Sequence, residues 1–359
     1  MTNAAAAKVS TKVSTTGATT AADTEADTEA DTEAGIETLA GLSEGEVLAR
    51  IFPRLPSASA QLLGPGDDAA VLAAPDGRYV VTTDMMIHGP DFRLAWSTPH
   101  DLGWKAAATN LSDVAAMGAR PTALVVAIAA PPNTPITLIE GIADGLRDCC
   151  EALAPGCGVV GGDLSASDVL TIAVTAFGDL EGRAPVLRSG ARPGDVVALA
   201  GNLGDAGAGL ELLFQRAIDA DGHPDAALAA ALRETHGAQL AAQLTPVPPL
   251  ECGPSAARAG ATAMLDLSDG LALDGGRLAR ASGVGIDFES AALGERIELA
   301  LGGGEDHGLL ATFPPGTPLP GGFRALGVTT DAPGVILVDG VPHTQNGWDP
   351  YRGWDGAAG

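Results

Sequence analysis

Carboxylates stand at the ends of predicted strands and helices through most of this sequence. They are Asp67, Asp68, Asp84, Asp113, Asp163, Asp266, Asp269, Glu305 and Asp306. Histidine and cysteine are missing from this set, which disfavours zinc and iron, whereas all-oxygen ligation favours Mg²⁺, Mn²⁺ or Ca²⁺. Several divalent ions held by carboxylates are typical of enzymes that transfer phosphoryl groups. The set therefore indicates a metal–phosphate enzyme without naming its substrate.

The first of these acids lie in a predicted β-hairpin formed by GDDAAVL at 66–72, PDG at 75–77 and YVVTTD at 79–84. Its three-residue loop ends on a glycine, as such loops favour. If Ala74 pairs with Arg78, Asp68 lies opposite Asp84, and two charges about 5 Å apart repel by about 3 kcal/mol. A cation between them would remove that repulsion, and a bulge that turns both acids to water is the alternative.

A helix predicted to begin near Pro99 turns two polar side chains inward. Asn110 and Asp113 share a face with apolar residues at helical spacing, among alanines that allow close packing on a sheet. A buried carboxylate needs a partner. We expect no lysine or arginine on this face, and we expect Lys105 to pair with Asp101. A metal ion is therefore the simplest partner for Asp113, and a local turn capped by Asp113 is the alternative.

Glycines precede acids at two further places, GGD at 161–163 and GGGED at 302–306, and each signal is weak alone. The segment LDLSDG at 265–270 is predicted to run from a strand into a helix start, where Ser268 or Asp269 is the N-cap. Asp266 still belongs to the strand, so capping does not explain it.

The chain divides into a tail and two predicted domains. Residues 1–42 are rich in alanine and threonine and carry a triplicated ADTE. They lack apolar periodicity and cannot offset the entropy of ordering, so we predict a disordered acidic tail. A polar, turn-rich connection at 183–189 separates an N-terminal domain at 43–185 from a C-terminal domain at 186–359.

Composition excludes several classes of protein. The net charge of −25 argues against a nucleic-acid partner. The longest apolar run, Leu124–Ala130, is too short to cross a bilayer, and no secretory signal is present, so we expect a cytoplasmic protein without a membrane partner. None of the three lysines follows a glycine, which excludes a Walker A loop. The four cysteines lack metal-binding spacing and suit a reducing compartment.

Seven segments together carry a family resemblance. They are GDDAAVL, TTD, LAWSTPHDLGWKAAATNLSDVAAMGARP, GGD, RSGARPGD, LDLSDG and GGED, in that order. The sequence from Leu42 to the C-terminus resembles the thiamine-monophosphate kinase family, a branch of the aminoimidazole-ribotide-synthetase-like superfamily. The resemblance implies an α+β fold of two domains: an N-terminal mixed sheet with helices, which pairs in a homodimer, and a C-terminal α/β sandwich-type domain. It also implies ATP, Mg²⁺ and conversion of thiamine monophosphate to thiamine diphosphate.

The resemblance also implies roles for individual residues through their motif positions. The implied metal ligands are Asp68, Thr82, Thr83, Asp84, Asp113, Asp163, Asp266 and Asp269. The implied ATP contacts are Gly162, Asp163, Arg188 and Ser268, and the implied substrate contacts are Asp91, Glu305 and Tyr351. Direct in-line transfer would depend most on Asp84, Asp113 and Arg188. Since a phosphate oxygen is already anionic at neutral pH, no general base is needed.

Three departures from the family pattern lie on the substrate side. Asp91 stands where the family has histidine, and GGED is followed by His307 instead of tyrosine. The C-terminal end, 353–359, replaces an aromatic-terminated one. Trp348 and Tyr351 lie just before it and Trp354 lies within it, and these three rings suit either core packing or ring stacking. Two alternatives stay open: a related ATP-dependent enzyme with another acceptor, and a non-catalytic, cation-binding or maturation-type scaffold.

Overall fold

A four-stranded and a seven-stranded β-sheet follow one another along the chain, and β1 and β2 form a separate two-stranded sheet. The computed structural model describes residues 36–65, 69–344 and 347. The helices are α1 Glu44–Ile51, α2 Pro99–Ala116, α3 Ile136–Leu153, α4 Asp205–Arg216, α5 Ala226–Leu244, α6 Cys252–Arg258, α7 Leu271–Ser282, α8 Ser290–Leu293 and α9 Ile297–Gly302. The strands are β1 Gln61–Leu63, β2 Val71–Leu72, β3 Val80–Ile87, β4 Arg120–Ala130, β5 Val159–Ala166, β6 Thr171–Asp179, β7 Val196–Ala200, β8 Ala263–Asp266, β9 Gly285–Phe288, β10 Leu309–Phe313, β11 Phe323–Thr330, β12 Ile336–Val338 and β13 Val341–Pro342.

The first sheet is mixed and has the strand order β3-β6-β4-β5. Its β3–β6 and β6–β4 pairs are antiparallel, whereas β4 and β5 run parallel. Helices α2 and α3 pack tightly against each other, because a Cβ at Gly103 or Gly145 would lie 2.0 Å from a carbonyl oxygen of the other helix. Thr98 caps α2 in a capping box with Asp101.

The second sheet has the strand order β13-β12-β9-β11-β7-β10-β8 and takes all its strands from residues after 195. Its pairs are antiparallel except for β9 with β12. One apolar cluster contains residues of α2 and of both sheets, including Leu111, Val174 and Ala311. The α+β class and the mixed first sheet are therefore confirmed, and the domain boundaries stay predictions.

The expected hairpin between residues 66–72 and 79–84 is wrong. Strand β2 pairs with β1, so Leu72 lies opposite Gln61, while β3 pairs with β6 and Asp84 lies opposite Val174. The eight-residue ladder with β6 gives β3 far more hydrogen bonds than the two residues of β2 could offer. Asp68 lies outside the described residues. Asp84 therefore has Val174 as its ladder partner, and a metal-binding role for Asp68 stays a prediction.

Among the described helices, none combines the length and the apolar composition needed to span a bilayer.

Candidate active site

Four acids from three separate parts of the chain meet beside α2. We call Asp84, Asp113, Asp266 and Asp269 the acid cluster. Asp84 lies on β3, Asp113 on α2, Asp266 at the end of β8, and Asp269 in the loop before α7. Asp84 and Asp266 are close enough to Asp113 to influence its protonation, and Asp266 and Asp269 are close enough to influence that of Asp84. These acids are among those expected from the sequence as metal ligands.

Strand alternation and helix periodicity position the first half of the cluster. Thr82 and Asp84 point to the same side of β3, since side chains alternate along a strand. The Thr82 hydroxyl donates to Asp113 Oδ2 at 2.9 Å, and the Asp84 N–H donates to Asn110 Oδ1 at 3.1 Å. Both bonds join β3 to α2, so the strand and the helix fix the carboxylates relative to each other.

Thr83 points away from the acid cluster. Its hydroxyl donates to the Val174 carbonyl at 2.9 Å and accepts from the Thr175 hydroxyl at 3.1 Å. The Thr83 side chain therefore does not join Thr82 and Asp84. Only its backbone carbonyl remains available for the metal contact expected at this position.

The acid cluster carries unbalanced negative charge. Burial raises the pKa of Asp113 to about 8, and the charges of Asp266 and Asp84 act in the same direction, against the hydrogen bond from Thr82. Burial and Asp266 also raise the pKa of Asp84, although solvent still reaches this residue. Within the described residues, no lysine or arginine forms an ion pair with Asp84, Asp113 or Asp266.

Such carboxylates fit divalent cations, because a bound ion would balance charge that the protein leaves unpaired. Among the described side chains, however, no three acids or histidines converge tightly on a single point. Phosphate oxygens would thus have to supply part of the coordination of any ion held here, as is usual for Mg²⁺.

Asp269 differs from its neighbours because it has a cation partner. Arg277 on α7 donates to Asp269 Oδ2 at 2.5 Å and to Asp274 Oδ1 at 2.6 Å. The Asp269 N–H in turn donates to Asp274 Oδ2 at 2.9 Å, and burial raises the pKa of Asp274 to about 6. Sequence reasoning missed Asp274 and Arg277. Their i,i+3 spacing at the start of a helix was the available signal.

His307 is a second residue whose role the sequence did not reveal. It is buried, with Nδ1 3.4 Å from Asp266 Oδ2, and Nε2 has no hydrogen-bond partner among the described residues. Burial alone would lower its pKa, but Asp266 and Glu305 outweigh that effect and raise it. His307 therefore binds a proton more readily beside Asp266 than a buried histidine without carboxylate neighbours would.

A cavity of about 680 Å³, which we call the Glu305 cavity, lies beside this histidine. Lys105 Nζ contacts Glu305 Oε1 at 2.7 Å, and Gln243 Nε2 donates to the other carboxylate oxygen. Burial would raise the pKa of Glu305, but Lys105 outweighs it, so this pKa is lowered. The expected Asp101–Lys105 pair is wrong, since Asp101 pairs with Arg233, and Lys105 is turned inward.

Two of the three expected substrate contacts line this cavity. Asp91 faces it beside Glu305 and accepts the Ile87 N–H at 2.7 Å, while burial raises the pKa of Asp91. Tyr351, with Trp348 and Trp354, lies outside the described residues. Trp96 and Phe214 also line the cavity, and sequence reasoning did not select them.

A second cavity of about 730 Å³, the Gly162 cavity, is lined by Gly161, Gly162 and Asp163 of β5 together with the side of α3. A Cβ at Gly162 would lie 2.0 Å from the Val126 carbonyl oxygen, so β4 leaves no room for a side chain there. Asp163 is exposed and accepts from the Ser165 hydroxyl at 3.0 Å. Two of the four expected ATP contacts therefore meet at one cavity.

The other two expected ATP contacts lie elsewhere. The Ser268 carbonyl accepts the Glu305 N–H at 2.7 Å, which places Ser268 near the acid cluster. Arg188 is exposed, and its carbonyl accepts from Ser282 at the C-terminal end of α7. Asp269 precedes the opposite end of this helix, which is about 18 Å long. The neighbouring Leu187 carbonyl accepts the Met264 N–H at 2.9 Å, so the backbone next to Arg188 lies beside β8, the strand that ends in Asp266.

Comparison with known proteins gives consistent matches. The family described as AIR synthase related protein, N-terminal domain, matches residues 66–180. The chain is 44% identical to thiamine-monophosphate kinase of Mycobacterium tuberculosis over 332 residues, which cover 88% of this chain and 92% of that protein. Identity with thiamine-monophosphate kinase of Corynebacterium glutamicum is 40% over 334 residues, covering 88% and 95%. The solved structure of AaThiL complexed with AMPPCP and TMP matches with a TM-score of 0.66 and 32% identity, covering 79% and 90%.

Proposed function

The chain belongs to the thiamine-monophosphate kinase family, and on that premise we propose that it transfers the γ-phosphoryl group of ATP to thiamine monophosphate. The products are ADP and thiamine diphosphate. The observation that carries this proposal is the acid cluster, whose carboxylates Asp84 and Asp113 have raised pKa values and no lysine or arginine partner among the described residues. A site that must hold several ions and two polyanions requires such unbalanced negative charge.

The two cavities suit the two substrates. We place the nucleotide in the Gly162 cavity, where glycine lets a phosphate approach the backbone and Asp163 can share a metal ion. We place thiamine monophosphate in the Glu305 cavity, where Asp91 and Glu305 offer negative charge to its positively charged thiazolium. The AaThiL complex with AMPPCP and TMP supports this pairing of ligands by homology.

Mg²⁺ held by the acid cluster would neutralise the phosphate oxygens of both substrates and so lower their mutual repulsion. Neighbouring side chains hold the proposed metal ligands in position. Thr82 fixes Asp113, Asn110 fixes the backbone at Asp84, and His307 fixes Asp266. We retain Asp68, Thr83 through its carbonyl, and Asp163 as further proposed ligands, and Ser268, Arg188 and Tyr351 as proposed substrate or nucleotide contacts.

In the proposed step, an oxygen of the acceptor phosphate attacks the γ-phosphorus while the bond to the β–γ bridging oxygen breaks. The electron pair of that bond leaves with ADP, so atoms and charge balance. Because the attacking oxygen is largely anionic at neutral pH, no side chain has to remove a proton. Catalysis then depends on positioning and electrostatic stabilisation.

We also propose that the protein is a homodimer paired through the open face of the first sheet. Strand β3 is an edge strand, and its side chains opposite α2 include Val81 at 56% exposure and Met85 at 58%. Apolar side chains on an uncovered sheet face favour association. Val81→Lys with Met85→Lys should shift the mass measured by light scattering from twice 35.7 kDa toward 35.7 kDa. An unchanged mass would contradict this interface.

We place the protein in the cytoplasm, where ATP is supplied.

The decisive experiment measures ADP release from Mg-ATP with and without thiamine monophosphate, for the wild type, Asp84→Asn, and the control Asp331→Asn. Asp331 is an exposed acid far along the chain, after β11. Turnover that depends on thiamine monophosphate and collapses only in Asp84→Asn supports both acceptor and metal site. Turnover indifferent to thiamine monophosphate would point to another acceptor, and ATP binding without turnover would favour a scaffold.

A further inference from the structure

One corner of the Glu305 cavity is aromatic and positively charged. We call Arg93, Trp96 and Phe214 the aromatic corner. Trp96 is 4% exposed and held at two points: its indole N–H donates to the Ala217 carbonyl at 2.8 Å, and its own carbonyl accepts from Arg233 at 2.7 Å. The Phe214 ring meets Trp96 edge to face, with ring centroids 4.8 Å apart. The corner is therefore a rigid element of the cavity wall.

Phe214 is nevertheless 43% exposed, although it lines a cavity in a protein that has only 4% aromatic residues. Trp96 contacts Phe214 in a T-shaped arrangement, and the Arg93 guanidinium lies over the Phe214 ring, 5.1 Å from its centroid. Exposed aromatic surface in a cavity wall is typical of a site where a flat ring stacks. The exposed part of Phe214 is thus available to a ligand inside the cavity.

The charges around the cavity indicate which ring this is. Arg93 also lies 5.1 Å from the Trp96 centroid, so its positive charge already interacts with both aromatic rings. Arg93 therefore already takes the cation–π position at this corner. The carboxylates of Asp91 and Glu305 line the cavity as well and attract positive charge. A ligand with one neutral ring and one cationic ring would therefore bind in a single orientation.

We infer that Phe214 binds the neutral aminopyrimidine ring of thiamine monophosphate, while the thiazolium lies beside Asp91 and Glu305. This inference rests on the proposed function. It also directs the phosphate toward the acid cluster, because Glu305 is two residues from His307, which contacts Asp266. Phe214 is then a specificity-determining residue that favours acceptors carrying both rings over phosphorylated thiazoliums alone.

The test compares two acceptors in kinetic assays. One is thiamine monophosphate, and the other is its phosphorylated thiazolium half, N-methylated so that it keeps its charge. Phe214→Leu keeps apolar bulk but removes the stacking ring, and should raise KM for thiamine monophosphate about ten-fold. KM for the truncated acceptor and for ATP should stay within about two-fold. Phe214→Tyr, which keeps the ring, should behave as the wild type.

The control is Leu228→Ala on α5, since Leu228 has the same 43% exposure and does not line the cavity. An equal rise in KM for both acceptors in Phe214→Leu would show that the residue only supports the cavity and would overturn the inference. Unchanged KM for thiamine monophosphate would overturn it as well. Wild-type enzyme that uses neither acceptor would overturn the proposed function itself, so the two failures are distinguishable.

Discussion

Helix α2 carries one residue of each of two contrasting acidic regions, Asp113 in the acid cluster and Lys105 in the Glu305 cavity. The two residues are eight positions apart, about 12 Å along the helix. Asp113 has no lysine or arginine partner among the described residues and a pKa raised to about 8. Glu305, which is also partly buried, pairs with Lys105 at 2.7 Å, and its pKa is lowered. Similar burial accompanies opposite pKa shifts in the two carboxyl groups, because Lys105 pairs with Glu305 and no lysine or arginine among the described residues pairs with Asp113.

This difference separates a structural charge from a functional one. Lys105 pairs with Glu305 within the chain, so this ion pair can form without ligand, while Asp91 keeps the cavity acidic. The acid cluster is not balanced, and its repulsion destabilises the folded protein until cations bind. A region that destabilises the ligand-free protein and stabilises the protein once a ligand is bound is where binding and catalysis are expected.

The largest predicted effect tests the unbalanced side of this comparison. Asp113→Asn removes both a negative charge and a proposed ligand, so kcat should fall by at least about 100-fold. The same change should raise the melting temperature of the metal-free protein, because folding forces wild-type Asp113 to take up a proton at neutral pH, whereas asparagine is already uncharged. Kinetic assays and thermal melts in EDTA check the two halves. A metal-free variant less stable than wild type would contradict the comparison.

The second-largest predicted effect is a change in the stability of the metal-free protein with pH. Asp113 has a pKa of about 8 in the folded state and 3.8 as the ordinary value. Between these values the folded protein holds the extra proton, so the unfolding free energy of the metal-free protein falls as pH rises from about 4 to about 8. Urea unfolding in EDTA should show a loss on the order of 2–4 kcal/mol across this window.

Two controls accompany the pH series. Asp113→Asn should flatten the fall between pH 4 and 8, and saturating Mg²⁺ should suppress it. Glu305 acts in the opposite direction, since its lowered pKa contributes stability that is lost only as pH falls below about 4.5. A wild-type curve that rises between pH 5 and 8 in EDTA would contradict the assignment of unbalanced charge to the acid cluster.

Lys105→Met tests the balanced side. It leaves the Glu305 carboxylate with Gln243 as its only described hydrogen-bond partner. The unfolding free energy should fall by about 2 kcal/mol. This loss is smaller than for a fully buried ion pair, because the Glu305 side chain is 32% exposed. Denaturant titration measures this loss. Adding Glu305→Gln should restore most of it, since the unpaired charge is then gone. Failure of the double variant to recover would show that Lys105 acts through other contacts.

Much of the acid cluster could be predicted from local sequence. Alternation along β3 placed Thr82 and Asp84 on one face, and helical spacing turned Asp113 inward. The carboxylates at element ends also stood out because local structure gave them no role. These signals depend on residues a few positions apart, which share geometry whatever the rest of the chain does.

Partners far apart in sequence could not be predicted in this way. The choice of β6 for β3, Glu305 for Lys105 and Arg233 for Asp101 joins residues 84 to 200 positions apart. Each local alternative, the hairpin and the helical ion pair, is worth only a few tenths of a kcal/mol to about 1 kcal/mol. Tertiary contacts override such preferences, and a single sequence does not encode them in its spacing.

The smallest predicted effect separates two adjacent threonines at the edge of the acid cluster. Thr82→Val removes the hydroxyl that donates to Asp113 Oδ2 at 2.9 Å, so Asp113 binds a proton more readily and a cation less readily. The Mg²⁺ concentration for half-maximal activity should rise about five-fold, the equivalent of about 1 kcal/mol. Thr83→Val removes a hydroxyl on the opposite face, bonded to Val174, and keeps its backbone carbonyl, so activation by Mg²⁺ should change by less than about two-fold. Equal effects of the two substitutions would mean that strand stability, and not the charge on Asp113, controls metal binding.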